Sequence, residues 1–159
     1  MTLSELPFGL QGSIFGSPMP FGSSDVEGQI YSSYKRQGIT FVVMLCDDAE
    51  CLRKANRNLR DLYSKDGLQV LYMPISDFNI PKKEDLKFFL AKTLAYASAG
   101  ENVAIHCSAG IGRTGLFSAC LARKVFGLSG KEAIQWVRKY ISGAVETTAQ
   151  QDFVTHLKI

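Results

Sequence analysis

Thirteen residues constrain this chain more than any others: V-A-I-H-C-S-A-G-I-G-R-T-G, Val103 to Gly115. The apolar run Val103 to Ile105 reads as a buried strand, which breaks at His106-Cys107 into a glycine-bearing loop. From Arg113 onward Leu116, Phe117, Cys120, Leu121 and Lys124 recur at helical spacing. Strand, tight loop and helix N-terminus together make an anion site, because loop N–H groups and the positive end of the helix dipole converge on one spot. The contents of this loop set it apart from other phosphate cradles. A thiol ringed by N–H donors at a helix N-terminus is activated relative to a free cysteine, so Cys107 is a candidate nucleophile toward phosphorus. Arg113, six residues on, is a candidate fork for two phosphate oxygens that a lysine would not reproduce. Ser108, Ala109, Gly110, Ile111 and Gly112 would add their N–H groups, the two glycines letting the backbone turn inward. Thr114 can set its hydroxyl near the sulfur and ease its departure in a second step. The plainer reading is a cysteine that is merely buried on a core strand.

The loop resembles the signature of the cysteine-dependent protein tyrosine phosphatase superfamily, which His106, Cys107, Gly110, Gly112, Arg113, Thr114 and Gly115 all match. That resemblance implies a phosphocysteine intermediate, no metal or other cofactor, and an aspartate acid on a separate loop. Asp77 answers to it. It lies in P-I-S-D-F-N-I-P, bracketed by Pro74 and Pro81 just past the end of an apolar run. In α/β sheets ligands gather beyond the carboxyl ends of strands, so Asp77 and the Cys107 loop can face one another. P-I-x-D-x-x-x-P about thirty residues ahead of the cysteine resembles the acid loop of the dual-specificity branch. The tyrosine-specific branch would carry tryptophan and proline where Ile75-Ser76 stand. As an ordinary surface carboxylate, Asp77 would simply cap its loop. Lys82 and Lys83 nearby read equally as an aid to anionic substrate or as a solvated helix start.

Four further expectations come from the resemblance. A supporting glutamine loop falls on Val145 to Gln150: Gln150 matches the second glutamine of tyrosine-specific members, while Glu146 stands in place of the first. His106 is expected to support the loop. Cys46, in M-L-C-D-D, resembles the cysteine that some phosphoinositide-type relatives pair with the catalytic one under oxidation; a small core residue is the competing reading. Ala109 and Ile111 occupy positions where phosphoinositide-type members carry lysines, which favours a phosphorylated protein over an inositol lipid as substrate.

The rest of the chain is read around that site. At 159 residues with 46% hydrophobic content it fits one domain, taken as 1–159 with an irregular Gly/Pro/Ser/Phe-rich segment, 1–23, packed on it and strand-like around Ser13 to Phe15. Ser24 reads as the cap of a helix from Asp25 to Gln37, closed by Gly38. Ile39 to Leu45 reads as a parallel core strand. Asp47 to Tyr63 reads as one amphipathic helix, with Leu52, Ala55, Leu59 and Leu62 inside and Arg53, Lys54, Arg57 and Arg60 on a solvated basic face. Leu68 to Met73 is the next strand, and Pro81 opens a helix over 82–99 that Gly100 ends. Ser129 and Glu132, then Thr147 and Gln150, form capping boxes. Ala133, Trp136, Val137, Tyr140 and Ile141 make a core stripe, and His156 reads as a surface residue. The fold class is α/β: a mainly parallel sheet of four to five strands with helices on both faces.

No apolar run reaches the ~18 residues of a membrane span, and the start of the chain lacks the basic and apolar regions of a signal peptide. Four irregularly spaced cysteines suit a reducing compartment, with the cytoplasm expected. Net charge is +3, yet no Lys or Arg precedes Lys35, which leaves the remainder at about +6. A positive field steers anions, but without interleaved aromatics it does not point to nucleic acid. Two other classes compete with a phosphatase. One is an idle phosphoresidue-binding module, disfavoured by intact Cys107, Arg113 and Asp77. The other is a rhodanese-type sulfur transferase, which has no need of the remote aspartate.

Overall fold

The β-branched apolar runs form the middle of the sheet. The structure, a computed structural model, describes residues 3–159. Its strands are β1 (Ser4–Leu6), β2 (Ile14–Ser17), β3 (Ile39–Met44), β4 (Gln69–Tyr72) and β5 (Asn102–His106). They lie in the order β1-β2-β5-β3-β4, antiparallel only at β1 and β2. The sheet is therefore mixed, mainly parallel, and the α/β class holds.

Each central strand is apolar on both faces because helices cover both. Phe41, Val43, Leu45, Val103 and Ile105 pack in one cluster, Val42, Met44 and Ala104 in the other, which is the two-residue alternation of a pleated strand. On the first face lie α4 (Lys83–Ser98), α5 (Gly112–Phe126), α6 (Gly130–Arg138) and α7 (Thr148–His156), contributing Leu86, Leu116, Ala133 and Phe153. On the second lie α1 (Gln29–Arg36), α2 (Asp48–Ala55) and α3 (Leu59–Lys65), contributing Ile30, Cys51, Leu59 and Tyr63. No described helix is long and apolar enough to cross a membrane.

Several expectations change. The strand-like piece read around Ser13 to Phe15 is β2, and the segment otherwise read as irregular also supplies β1, so that Leu6, Ile14 and Phe15 are buried in the sheet beside β5; residues 1 and 2 lie outside the described residues. The first helix starts four residues later than Asp25. Asp25 is itself buried, and its carboxylate accepts from the N–H groups of Phe21, Gln29 and Ile30 at 3.1, 2.8 and 3.1 Å. The helix expected over 47–63 is two: Asn56 takes a left-handed conformation (φ 55°), and Asn58 caps α3 by accepting from Asp61 N. Leu52, expected inside, faces solvent from α2 at 58% exposure. Lys82, not Pro81, caps α4. Tyr140 lies past the end of α6 and is partly exposed, while Trp136 is half-buried against Phe8 and Phe126. Both capping boxes form, and His156 is exposed.

Candidate active site

The loop from Cys107 to Ile111 joins the carboxyl end of β5 to the N-terminus of α5. Its carbonyls are drawn outward: Ser108 O accepts from Met19 N at 2.9 Å, and Ile111 O from Gly115 N at 2.9 Å and Val145 N at 3.3 Å. The chain can curl this tightly only because Gly110 adopts φ +78°. A Cβ at that residue would stand 2.6 Å from the Ser17 carbonyl. Cys107 is buried at the foot of the loop, Ser108 and Ile111 are half-buried, and Ala109 is exposed.

Arg113 is only 1% exposed, and three groups, from α2 and the loop after β4, hold it. Nη1 donates to Glu50 Oε1 at 2.9 Å and to the Ile75 carbonyl at 2.8 Å; Nη2 donates to Glu50 Oε2 at 2.8 Å and lies 3.0 Å from Asp77 Oδ1. Its remaining donor, Nε, is buried without a partner. The bidentate fork to Glu50 fixes the guanidinium plane. Burial alone would raise the Glu50 carboxyl, but its bonds to Arg113 and the nearby Lys54 charge outweigh that and hold it below its ordinary value. Burial likewise works against the Arg113 charge, and Glu50, Cys107 and Asp77 more than restore it.

Glu50 and Lys54 were not expected at the site. Lys54 Nζ sits 2.8 Å from Ser108 Oγ, 3.3 Å from Glu50 Oε2 and 3.7 Å from Asp77 Oδ2. The sequence did hold a signal: Glu50 and Lys54 are one turn apart on a helix that opens past a strand's carboxyl end. The basic residues around them masked it.

His106 is fully buried, and burial pushes it down to about 4 from an ordinary 6.5. Nδ1 lies 3.0 Å from the Cys107 carbonyl and Nε2 2.9 Å from the Tyr63 hydroxyl. A carbonyl only accepts, so Nδ1 carries the proton and Nε2 accepts from Tyr63. The ring thereby fixes the backbone beneath Cys107. Thr114 Oγ1 and Ser118 Oγ, one turn apart on α5, are buried without partners.

Gln150 is buried and makes three hydrogen bonds. Its Oε1 accepts from Glu146 N at 3.0 Å and Thr147 N at 3.1 Å, and its Nε2 donates to the Asn79 carbonyl at 3.2 Å. It therefore ties the 145–148 turn to the loop carrying Asp77. A Cβ on Gly112 would stand 3.0 Å from Gln150 Oε1 and 3.1 Å from Glu146 Oε1, so both side chains border the loop. Cys46 Sγ packs 3.4 Å from Cys51 Sγ and 3.6 Å from the Cys107 carbonyl oxygen, and all four cysteines are free.

A cysteine at the base of an amide-lined loop, an arginine closing that loop and an aspartate arriving from beyond the end of β4 define a site of the tyrosine-phosphatase class. The family model for the DSP-PTPase phosphatase of polymorphic toxin systems matches residues 16–125. The chain belongs to this family of dual-specificity and tyrosine phosphatases. Among curated relatives, an uncharacterized protein of Methanocaldococcus jannaschii is 39% identical over 89 residues, 55% of this chain and 58% of that one. Dual specificity protein phosphatase CDC14C of Symphalangus syndactylus is 31% identical over 124 residues, 76% of this chain and 23% of that protein. The chain thus spans little more than half the length of the first of these and less of the other. Among solved structures, Tk-PTP in a glycine-to-alanine mutant form superposes with TM-score 0.73 at 32% identity, covering 89% of this chain and 86% of its own. Kinase associated phosphatase superposes with TM-score 0.86 at 23% identity, over 96% and 90% of the two chains, a likeness of fold.

Proposed function

We propose that residues 1–159 form one catalytic domain that hydrolyses phosphate monoesters on proteins, phosphotyrosine first and phosphoserine or phosphothreonine with it. One observation carries the reading: Asp77 Oδ1 lies 3.0 Å from Arg113 Nη2, beside buried Cys107. In the proposed reaction the Cys107 thiolate attacks phosphorus in line, and the S–P bond forms as the P–O bond to the leaving group breaks. Asp77 delivers a proton to the departing oxygen. Arg113 turns Nη2 and Nε onto two equatorial oxygens while the N–H groups of Ser108 to Arg113 take up the remaining charge. Asp77, now a carboxylate, draws a proton from water, which cleaves the phosphocysteine and releases inorganic phosphate. The Thr114 hydroxyl stabilises the departing thiolate.

His106, Glu146 and Gln150 are proposed in supporting roles, Gln150 by holding the acid loop. Four free thiols suit a reducing compartment, by this reading the cytoplasm. Cys46 is the proposed partner that shields Cys107 under peroxide; peptide mapping that finds no Cys46–Cys107 crosslink removes that role.

The test is phosphate release from a phosphotyrosine peptide, a phosphothreonine peptide and a phosphoinositide, with wild type and Cys107→Ser. Cysteine-dependent release supports the mechanism, and the order of the three substrates gives the class. Binding of the phosphopeptide without release would make this a phosphoresidue-binding module. Asp77→Asn is expected to slow poor leaving groups about 10²–10⁴-fold and activated aryl phosphates far less; an equal loss on both would remove the acid role.

A further inference from the structure

We propose that Lys54 is a positioning residue that keeps the Asp77 loop docked on the phosphate loop while Arg113 exchanges Asp77 for substrate. The proposal rests on the phosphatase reading above and adds to it a residue outside the signature and acid loops.

The geometry begins with one ammonium and three oxygens on three elements. Lys54 rises from the last turn of α2, and its side chain is 26% exposed. Its Nζ reaches Ser108 Oγ at 2.8 Å on the phosphate loop, Glu50 Oε2 at 3.3 Å on its own helix, and Asp77 Oδ2 at 3.7 Å on the acid loop. An ammonium has three donors and no fixed plane, so it suits such a junction where a guanidinium fork would not. The Asp77 carboxylate is thereby shared between two cations, Arg113 on Oδ1 and Lys54 on Oδ2.

Catalysis disturbs only one of the two. Arg113 keeps Nη1 on Glu50 and the Ile75 carbonyl, but must give Nη2 to phosphate along with the unpartnered Nε. Asp77 then loses its bond to Arg113 as the dianion arrives. In the first step it acts as the protonated acid, which makes no ion pair, and its side chain is already 40% exposed; an ammonium can still donate to the acid's carbonyl oxygen. Lys54 remains. Anchored on Ser108, it sits on the phosphate loop itself, so its attraction for Asp77 acts where the leaving group departs. A lysine in plain solvent would hold none of these contacts. A lysine that served to bind substrate would not spend its charge on two carboxylates of the protein.

The test uses aryl phosphates of graded leaving-group acidity with Lys54→Met, which keeps the aliphatic stem, and Lys54→Arg, which keeps the charge. Lys54→Met is expected to lower kcat about tenfold on poor leaving groups, an effect of the size seen between contacting residues. It should leave activated esters and KM nearly unchanged. Lys54→Arg should recover most of the loss. In an Asp77→Asn background the Met substitution should add nothing, because the group it positions is already gone. A loss equal across leaving groups, a raised KM with kcat intact, no loss at all, or a full further loss in the Asp77→Asn background would each overturn the proposal. An Arg variant as slow as the Met variant would do the same. If Asp77→Asn alone shows no dependence on the leaving group, the acid assignment fails first, and its failure is seen separately. Unfolding midpoints are recorded for every variant, and Lys54→Gln replaces Lys54→Met should the latter not fold.

Discussion

His106 enters the core without a charge, and this gives the protein a pH signature. Its ring is fully buried, bonded to the Cys107 carbonyl and the Tyr63 hydroxyl, and titrates near 4 where an unfolded histidine titrates near 6.5. Between those two values the unfolded chain binds more protons than the folded one, so stability rises with pH across the window and falls on acidification. The full shift corresponds to about 3 kcal/mol. Denaturant midpoints followed from pH 7 to pH 4 should show this slope, and His106→Gln should flatten it; an unchanged slope would place the acid sensitivity elsewhere. Glu50 adds its own loss at lower pH, since a carboxyl held below its ordinary 4.5 contributes above that value and loses the contribution as pH falls through the depressed one. Its larger role is with Arg113. A buried guanidinium that loses its bidentate partner commonly costs 3–5 kcal/mol, so Glu50→Ala is expected to lower stability by about 3 kcal/mol in a denaturant titration. A loss below about 1 kcal/mol would mean that the Ile75 carbonyl and Asp77 suffice for the fork.

Among the helices, the difference between what the sequence discloses and what folding adds comes down to caps. The boxes Ser129/Glu132 and Thr147/Gln150 close within four residues, so they are legible locally and form as expected. The start of α1 was not legible. Gly28 stands at its cap position in a left-handed conformation, and the carboxylate of Asp25 reaches across the turn to do the capping. Likewise the apolar spacing runs straight through Asn56, but Asn58 offers a second cap and the chain takes it, splitting the expected helix. Asp25→Ala would leave three N–H groups short of a partner, at about 1–3 kcal/mol for each buried one. It is expected to cost at least 2 kcal/mol by that scale, whereas exposed Ser24→Ala should change stability by no more than about 0.5 kcal/mol. Equal and small effects would show that α1 starts without help from Asp25.

Over the whole molecule, the site gathers at the carboxyl ends of β3, β4 and β5, and legibility followed sequence contiguity. Cys107 and Arg113 sit in one loop, and Asp77 in a loop with proline bounds, so each could be named from local pattern. Glu50 and Lys54 could not: they lie on α2, amid Arg53 and Arg57, and only the parallel pairing of β3 with β5 carries them to the phosphate loop. The N-terminal segment was read as packed on the domain and strand-like around Ser13 to Phe15, but its bracing of the phosphate loop was missed for the same reason. It is not a covering strand alone, since Met19 N holds the Ser108 carbonyl and the Ser17–Pro18 backbone lies where a side chain at residue 110 would go. Two glycines separate this bracing from backbone strain. Gly110 (φ +78°) and Gly127 (φ +67°) are both left-handed, but a Cβ on Gly127 meets nothing within 4 Å. Gly127→Ala should cost about 1–2 kcal/mol, the left-handed penalty alone, and leave phosphate release intact. Gly110→Ala carries the same penalty and a 2.6 Å clash with the Ser17 carbonyl, so it should lose more stability and most of the activity. Equal losses of stability in the two variants, with activity kept in both, would mean that β2 yields and that the N-terminal strand does not brace the phosphate loop.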